Sequence, residues 1–216
     1  MPRESQAARR ERAHEIVKRL KIHYPESKIS LEYGNDVQLL VAVILSAQCT
    51  DAMVNKVTKP LFTDLRTAQD FADVSQEELE RRIRPTGFYR QKAKNIRAAA
   101  RRIVEAYDGR VPATMEDLLT LPGVARKTAN VVLWNAHDRP DGIAVDTHVA
   151  RVTRLLRLTR HEDPVKIERD LVKLVPPEDW GHFTHLVIDH GRAICIARRP
   201  RCEACFLNDL CPSSRV

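Results

Sequence analysis

No apolar run in this 216-residue chain approaches the roughly 18 residues that a membrane-spanning helix needs, so no membrane partner is expected. The longest run, LLVAVIL at 39–45, predicts a buried helix instead. The opening segment, MPRESQAARRERAHEIVKRL, mixes acids among arginines and has no apolar core of the kind a secretory or organellar signal carries. A cytoplasmic protein is the expectation. Strand-like alternation is scarce, no internal repeat stands out, and no low-complexity linker divides the chain. An even set of spaced cysteines is also lacking: there are five, four of them crowded between 195 and 211, which excludes a simple disulfide framework and fits a metal site in a reducing compartment.

What the chain does have is length enough for a substantial core and a surplus of positive charge. Lysine and arginine number 36 against 29 acidic residues, a net charge of +7, which suits a polyanion such as nucleic acid. A basic solvated surface explains the charge equally well, so motifs must decide.

Helical spacing runs through most of the chain. Ala93, Ile96, Ala100, Ile103 and Tyr107 form one apolar stripe, with Lys92, Lys94, Arg97 and Arg101 predicted to lie off it. Start signals agree. Ser75 with Glu78 predicts a capping box, Thr114 with Asp117 a weaker one, and Asp163 before Pro164 places a cap ahead of a first-turn proline. Stop signals fall at Pro25, Gly34, Pro85–Gly87, Gly109, Pro122-Gly123 and Pro176-Pro177. The prediction is an all-α fold of short helices and short connections.

The most informative stretch is MEDLLTLPGVARKTANVVLWNAH, residues 115–137. It predicts a short helix reaching Leu121, a turn through Pro122, Gly123, Val124 and Ala125, and a second helix. Amides at such a helix start, backed by the positive end of the dipole, bind phosphate without reading any base. Arg126 is placed to add a charge. Lys127 falls in the first turn, where the dipole and any desolvation favour the neutral, nucleophilic amine. By itself a lysine in a basic protein is a solvated charge; only the setting raises it.

Nineteen residues further on comes IAVDTHVARVTRLLR, in which Asp146 precedes apolar positions Val149, Val152, Leu155 and Leu156. Asp146 is predicted to cap a helix by accepting from the amide of residue 148 or 149. A carboxylate fixed there can also stabilise positive charge on a substrate sugar. His148 reads first as a structural hydrogen-bonding residue and second as a base or a phosphate contact. Arg151, Arg154, Arg157 and Arg160 recur every third residue, as a solvated face or as one that tracks phosphates.

Cys195, Cys202, Cys205 and Cys211 follow C-x6-C-x2-C-x5-C with no interleaved histidine. One compact run of unequal gaps favours an iron–sulfur cluster wrapped by a single loop, with zinc left as the alternative. Arg198 and Arg199, between the first two ligands, predict a clamp on a phosphate backbone, or else solvation of the loop. Cys49 is predicted to lie inside an apolar helix as a small buried hydrophobe.

Taken together, LSAQCTD at 45–51, GFYRQKA at 87–93, LPGVARKTANVV at 121–132, VDTHVARV at 145–152 and the cysteine run resemble the helix-hairpin-helix DNA glycosylases of the endonuclease III type. The likeness spans nearly the whole chain. It implies a helical barrel domain at 29–139 and a cluster domain built from 1–28 and 140–216, with double-stranded DNA bound between them and a [4Fe–4S] cluster as cofactor. It further implies a bifunctional glycosylase and abasic-site lyase acting on oxidised pyrimidines in DNA that carries damaged bases or abasic sites. In that reading Lys127 attacks the sugar and Asp146 is the catalytic carboxylate. Gln48 and Phe88 fill the gap left by a flipped base and wedge the opposite strand, while Leu121, Gly123, Ala125, Arg126, His148, Arg198 and Arg199 contact DNA. A monomer is expected.

One departure stands out. The family hairpin usually reads G-V-G, and here the second glycine is Ala125. If that position requires a positive φ, alanine would cost roughly 1 kcal/mol and tilt the hairpin amides. Two rivals are a non-catalytic DNA-binding protein, which leaves the pairing of Lys127 with Asp146 unexplained, and an adenine-mismatch glycosylase, which typically lacks the lysine.

Overall fold

The computed structural model describes residues 4–216 and is helical, with no strand among the described residues. In chain order the helices are α1 (Gln6–His23), α2 (Asp36–Leu45), α3 (Asp51–Asp64), α4 (Ala68–Asp73), α5 (Gln76–Ile83), α6 (Tyr89–Tyr107), α7 (Met115–Leu119), α8 (Arg126–His137), α9 (Thr147–Leu155), α10 (Pro164–Leu171) and α11 (Trp180–Ala193). No helix among the described residues is long and apolar enough to cross a membrane. Contacts divide the chain into two compact units, Ser30–Arg139 and Met1–Ile29 with Pro140–Val216.

The first unit is organised around α2 and α6. Helix α2 starts where the Asn35 side chain accepts from the amide of Gln38 at 3.0 Å, and every residue from Val37 to Leu45 is buried. A helix apolar on all sides must be enclosed, and α3, α6 and α8 pack against it. Helix α6 follows the predicted stripe, with Ala93, Ile96, Ala100 and Ile103 buried against α4 and α5 and Tyr107 half-buried. One residue departs from prediction. Lys92 is not on the wet face: it is 5% exposed, and its Nζ donates to the carbonyls of Leu45 at 2.8 Å and Thr86 at 2.7 Å.

Capping also differs in detail. Ser75 caps α5 by accepting from the Glu78 amide at 3.1 Å, but the Glu78 carboxylate turns to Arg81 at 2.6 Å instead of closing the box. The reciprocal pair forms one helix earlier, between Thr67 and Asp70 at the start of α4. There the backbone amides of Arg66 and Thr67 hold the Asp70 carboxyl below its ordinary range. Thr114 caps α7 as expected, and Asp163 caps α10 with Pro164 in the first turn.

The second unit packs α1, α9, α10 and α11 around Ile16, Leu20, Val149, Val152, Phe183 and Leu186. The tail after α11 contains no α-helix, only two short 3₁₀ turns at Cys202–Ala204 and Asn208–Leu210. Leu207 is fully buried and Phe206 half-buried against the core, and Arg19 of α1 donates to the Phe206 carbonyl at 2.9 Å and pairs with Asp209.

Candidate functional site

In the first unit, α7 ends at Leu119, two residues before the predicted limit, and Thr120 to Ala125 make the turn into α8. Leu121 and Val124 face inward at 2% and 8% exposure, and the Leu121 carbonyl accepts from the Val124 amide at 3.1 Å. In the protein alone Leu121, expected to contact DNA, is a packing residue. Gly123 carries the positive φ, +82°, and a Cβ there would lie 2.8 Å from the Cβ of Asn95 on α6. Glycine is required twice over, by conformation and by space.

Ala125 is the N-cap of α8 with φ −98° and ψ 169°, ordinary extended backbone. The strain expected from replacing a glycine here does not arise. The N-cap of α8 makes no side-chain hydrogen bond to its first turn. Arg126 is half-buried and has a partner of its own. Lys127, the second residue of α8, is exposed.

Two other candidates of this unit sit in strained turns. Gln48 has φ +52° and is exposed in the turn closed by the Cys49 amide on the Ser46 carbonyl at 3.1 Å. Phe88 has φ +47°, is 68% exposed, and starts α6 without a side-chain cap. A left-handed conformation costs a non-glycine residue about 1 kcal/mol, so surrounding contacts must hold both turns. Cys49 lies in the first of them, half-buried, not inside a helix as predicted.

In the second unit, Asp146 caps α9 as expected, its Oδ1 accepting from the Val149 amide at 2.8 Å. The preceding residues Ile143–Val145 are buried, and Thr184 of α11 donates to the Ala144 carbonyl at 3.0 Å. The carboxylate is thus fixed from both sides. His148 is half-buried with Nδ1 3.4 Å from Nη2 of Arg151, consistent with the structural reading. Gly191 makes room for this pair, since a Cβ there would meet His148 Nδ1 at 2.9 Å.

The arginine face predicted at 151–160 does not form. Arg151 turns inward, donating to the carbonyls of Cys195 and Gly191, with Nη1 3.7 Å from the Cys195 sulfur. Arg154 pairs with Glu162 at 2.8 Å. Helix α9 ends at Leu155, so Arg157 and Arg160 lie beyond it, Arg157 with φ +51°. The threefold spacing makes one face only along a continuous helix, and this one stops short.

The four cysteines Cys195, Cys202, Cys205 and Cys211 all line one cavity of about 150 Å³. Among the described residues no group of three or more Cys, His, Asp or Glu converges closely enough for a single metal ion. Four thiols around a shared cavity are the donor set that an iron–sulfur cluster takes. Burial pushes the thiols of Cys195, Cys205 and Cys211 up. His190, 3.7 Å from the Cys205 sulfur, is pushed down to about 4 by burial and then by the charges of Arg151 and His23, and stays neutral. Arg198 and Arg199 are exposed on the loop between the first two cysteines.

Residues 41–177 match the HhH-GPD superfamily of base excision DNA repair proteins, and residues 195–211 match the iron–sulfur binding domain of endonuclease III. The chain is 54% identical to endonuclease III of Synechocystis sp. over 97% of its length and 96% of the relative's. Among solved structures it is similar to a non-covalent endonuclease III–DNA complex and to a trapped endonuclease III–DNA covalent intermediate. Each has a TM-score of 0.89 and 43% identity, covering 95% of this chain and 96% of the other.

Proposed function

This chain belongs to the endonuclease III family of the HhH-GPD superfamily, and on that premise we propose how its residues share the work of a bifunctional DNA glycosylase and abasic-site lyase. The enzyme is a base excision repair protein that carries a [4Fe–4S] cluster. Its partner is double-stranded DNA containing an oxidised pyrimidine or an abasic site, engaged by a monomer in the cytoplasm.

The observation that carries the reading is the exposed amine of Lys127 immediately after the Leu121–Ala125 turn, at the start of an uncapped helix. With a damaged pyrimidine rotated out of the duplex, the Lys127 amine attacks C1′ of the sugar and the bond to the base breaks. The sugar opens to an imine on Nζ. Loss of a proton from C2′ sends its electron pair toward that imine, and the 3′ phosphate leaves. Asp146 stabilises positive charge as it develops on the sugar and helps to deprotonate the lysine. Gln48 and Phe88 occupy the space left by the flipped base and wedge the opposite strand. Amides of the hairpin, with Arg126, Arg198 and Arg199, take phosphates and read no sequence. Cys195, Cys202, Cys205 and Cys211 hold the cluster, which supplies the cross-links that order a tail with no α-helix of its own.

Borohydride reduction during reaction with lesion-bearing duplexes tests this reading. Wild-type protein should yield a stable protein–DNA adduct and Lys127→Ala none, with helicity, iron content and binding of undamaged duplex unchanged. An adduct from Lys127→Ala at the wild-type rate contradicts it, and no adduct from either protein favours a DNA-binding protein without this chemistry.

A further inference from the structure

A buried lysine without a carboxylate partner is costly unless its ammonium is fully engaged. Lys92 meets that condition through backbone carbonyls alone. Its Nζ donates to Leu45 O, the last residue of α2, and to Thr86 O, in the 3₁₀ turn Arg84–Thr86. Burial holds its amine below the ordinary lysine range.

Each of the two carbonyls belongs to a residue that leads into a strained turn. Leu45 runs into the turn bearing Gln48 at φ +52°, and Thr86 runs through Gly87 to Phe88 at φ +47°. Lys92 also holds the second turn from its other side, its backbone amide donating to the Phe88 carbonyl at 3.0 Å. One residue therefore braces two separate strained turns, through carbonyls 47 and 6 residues away along the chain, and joins them through a single buried charge. Simple packing does not require this. A leucine or methionine would fill the space, and the α2 terminus has other caps available, as the Ser46 hydroxyl on the Val43 carbonyl at 2.8 Å illustrates.

We infer that Lys92 is a positioning residue that sets the spacing of Gln48 and Phe88, so that both enter the duplex together and hold the base out. This rests on the roles assigned above to those two side chains.

The test uses the full-length protein loaded with its cluster. The probe is a duplex containing a tetrahydrofuran abasic analogue with 2-aminopurine opposite, whose fluorescence rises when that base is unstacked. A parallel reaction uses a duplex containing thymine glycol under single-turnover conditions. Lys92→Met should remain folded and bind plain duplex within about twofold, yet lose most of the fluorescence rise and slow excision by about tenfold, since small misplacements of positioning groups cost one to two orders of magnitude. Lys92→Arg, which restores donors to both carbonyls, should recover most of the signal. With Gln48→Ala and Phe88→Ala already present, adding Lys92→Met should change excision by less than about twofold, because a residue that acts through others has nothing left to position.

A Lys92→Met protein with the full fluorescence rise overturns the inference, and so do effects that simply add in the double-alanine background, which would mark a general prop of the fold. Should Lys92→Met fail to fold, Lys92→Gln, which keeps a donor for one carbonyl, carries the same cycle. If Gln48→Ala and Phe88→Ala leave fluorescence and excision at wild-type values, the roles assigned to them fail and this inference falls with them. If thymine glycol is not excised by the wild type but the fluorescence cycle behaves as described, the substrate assignment fails and Lys92 keeps its role.

Discussion

Two helix starts in this molecule are built in opposite ways. Helix α8 begins at Ala125 with no capping side chain, after a turn that depends on Gly123, and presents Lys127 to solvent. Helix α9 begins at Asp146, whose carboxylate is bonded to the Val149 amide at 2.8 Å. The first has no side-chain acceptor at its N-cap; the second uses its own terminus to hold a carboxylate still. A cap is commonly worth about 1 kcal/mol, a contribution that α8 lacks, as α6 and α11 do.

The comparison breaks most visibly at Asp146. Asp146→Asn keeps a capping oxygen, so stability should change by less than about 0.5 kcal/mol in a denaturant titration, whereas excision should slow by at least about 100-fold as the charge facing the sugar is lost. Unchanged excision would reduce Asp146 to a cap. Next in size is Gly123→Ala, where left-handed backbone and a Cβ at 2.8 Å from Asn95 both penalise the side chain. A loss of roughly 2 kcal/mol is expected, with weaker binding of damaged and undamaged duplexes alike. If binding weakened for damaged duplex only, the hairpin would not be a general phosphate contact. The smallest effect sharpens the contrast. Ala125→Asp makes the start of α8 resemble that of α9 and should stabilise the fold by about 1 kcal/mol, while duplex affinity falls and recovers partly as salt screens the added charge. A variant both more stable and equally avid would show that the vacant cap has no function.

Much of this is legible in the sequence because it depends on local patterns. The helical class, the buried α2, the Asp146 cap and the gathering of four cysteines in one cavity arise from periodicity, short-range capping and short loops. The features that escape depend on chain geometry beyond a few residues. Lys92 stands four, seven and eleven residues before Ile96, Ala99 and Ile103, so it shares the buried face of α6; its residue type hides this, because only a four-carbon stem reaching two carbonyls, one of them 47 residues back, lets a lysine sit there. The arginines at 151–160 share a spacing that suggests one face, but α9 ends at Leu155 and Arg151 turns toward Cys195. Ala125 looks strained only because a family pattern has glycine there. The dihedral that demands glycine belongs to Gly123, two residues earlier.

The proposed chemistry turns on Lys127 being the amine that attacks the sugar. Peptide mapping by mass spectrometry after borohydride reduction of the wild-type reaction and nuclease trimming of the DNA tests it directly. The reduced sugar remnant should be carried by Nζ of Lys127, in the segment after Arg126. A remnant on another lysine or on the chain's α-amino group would contradict it.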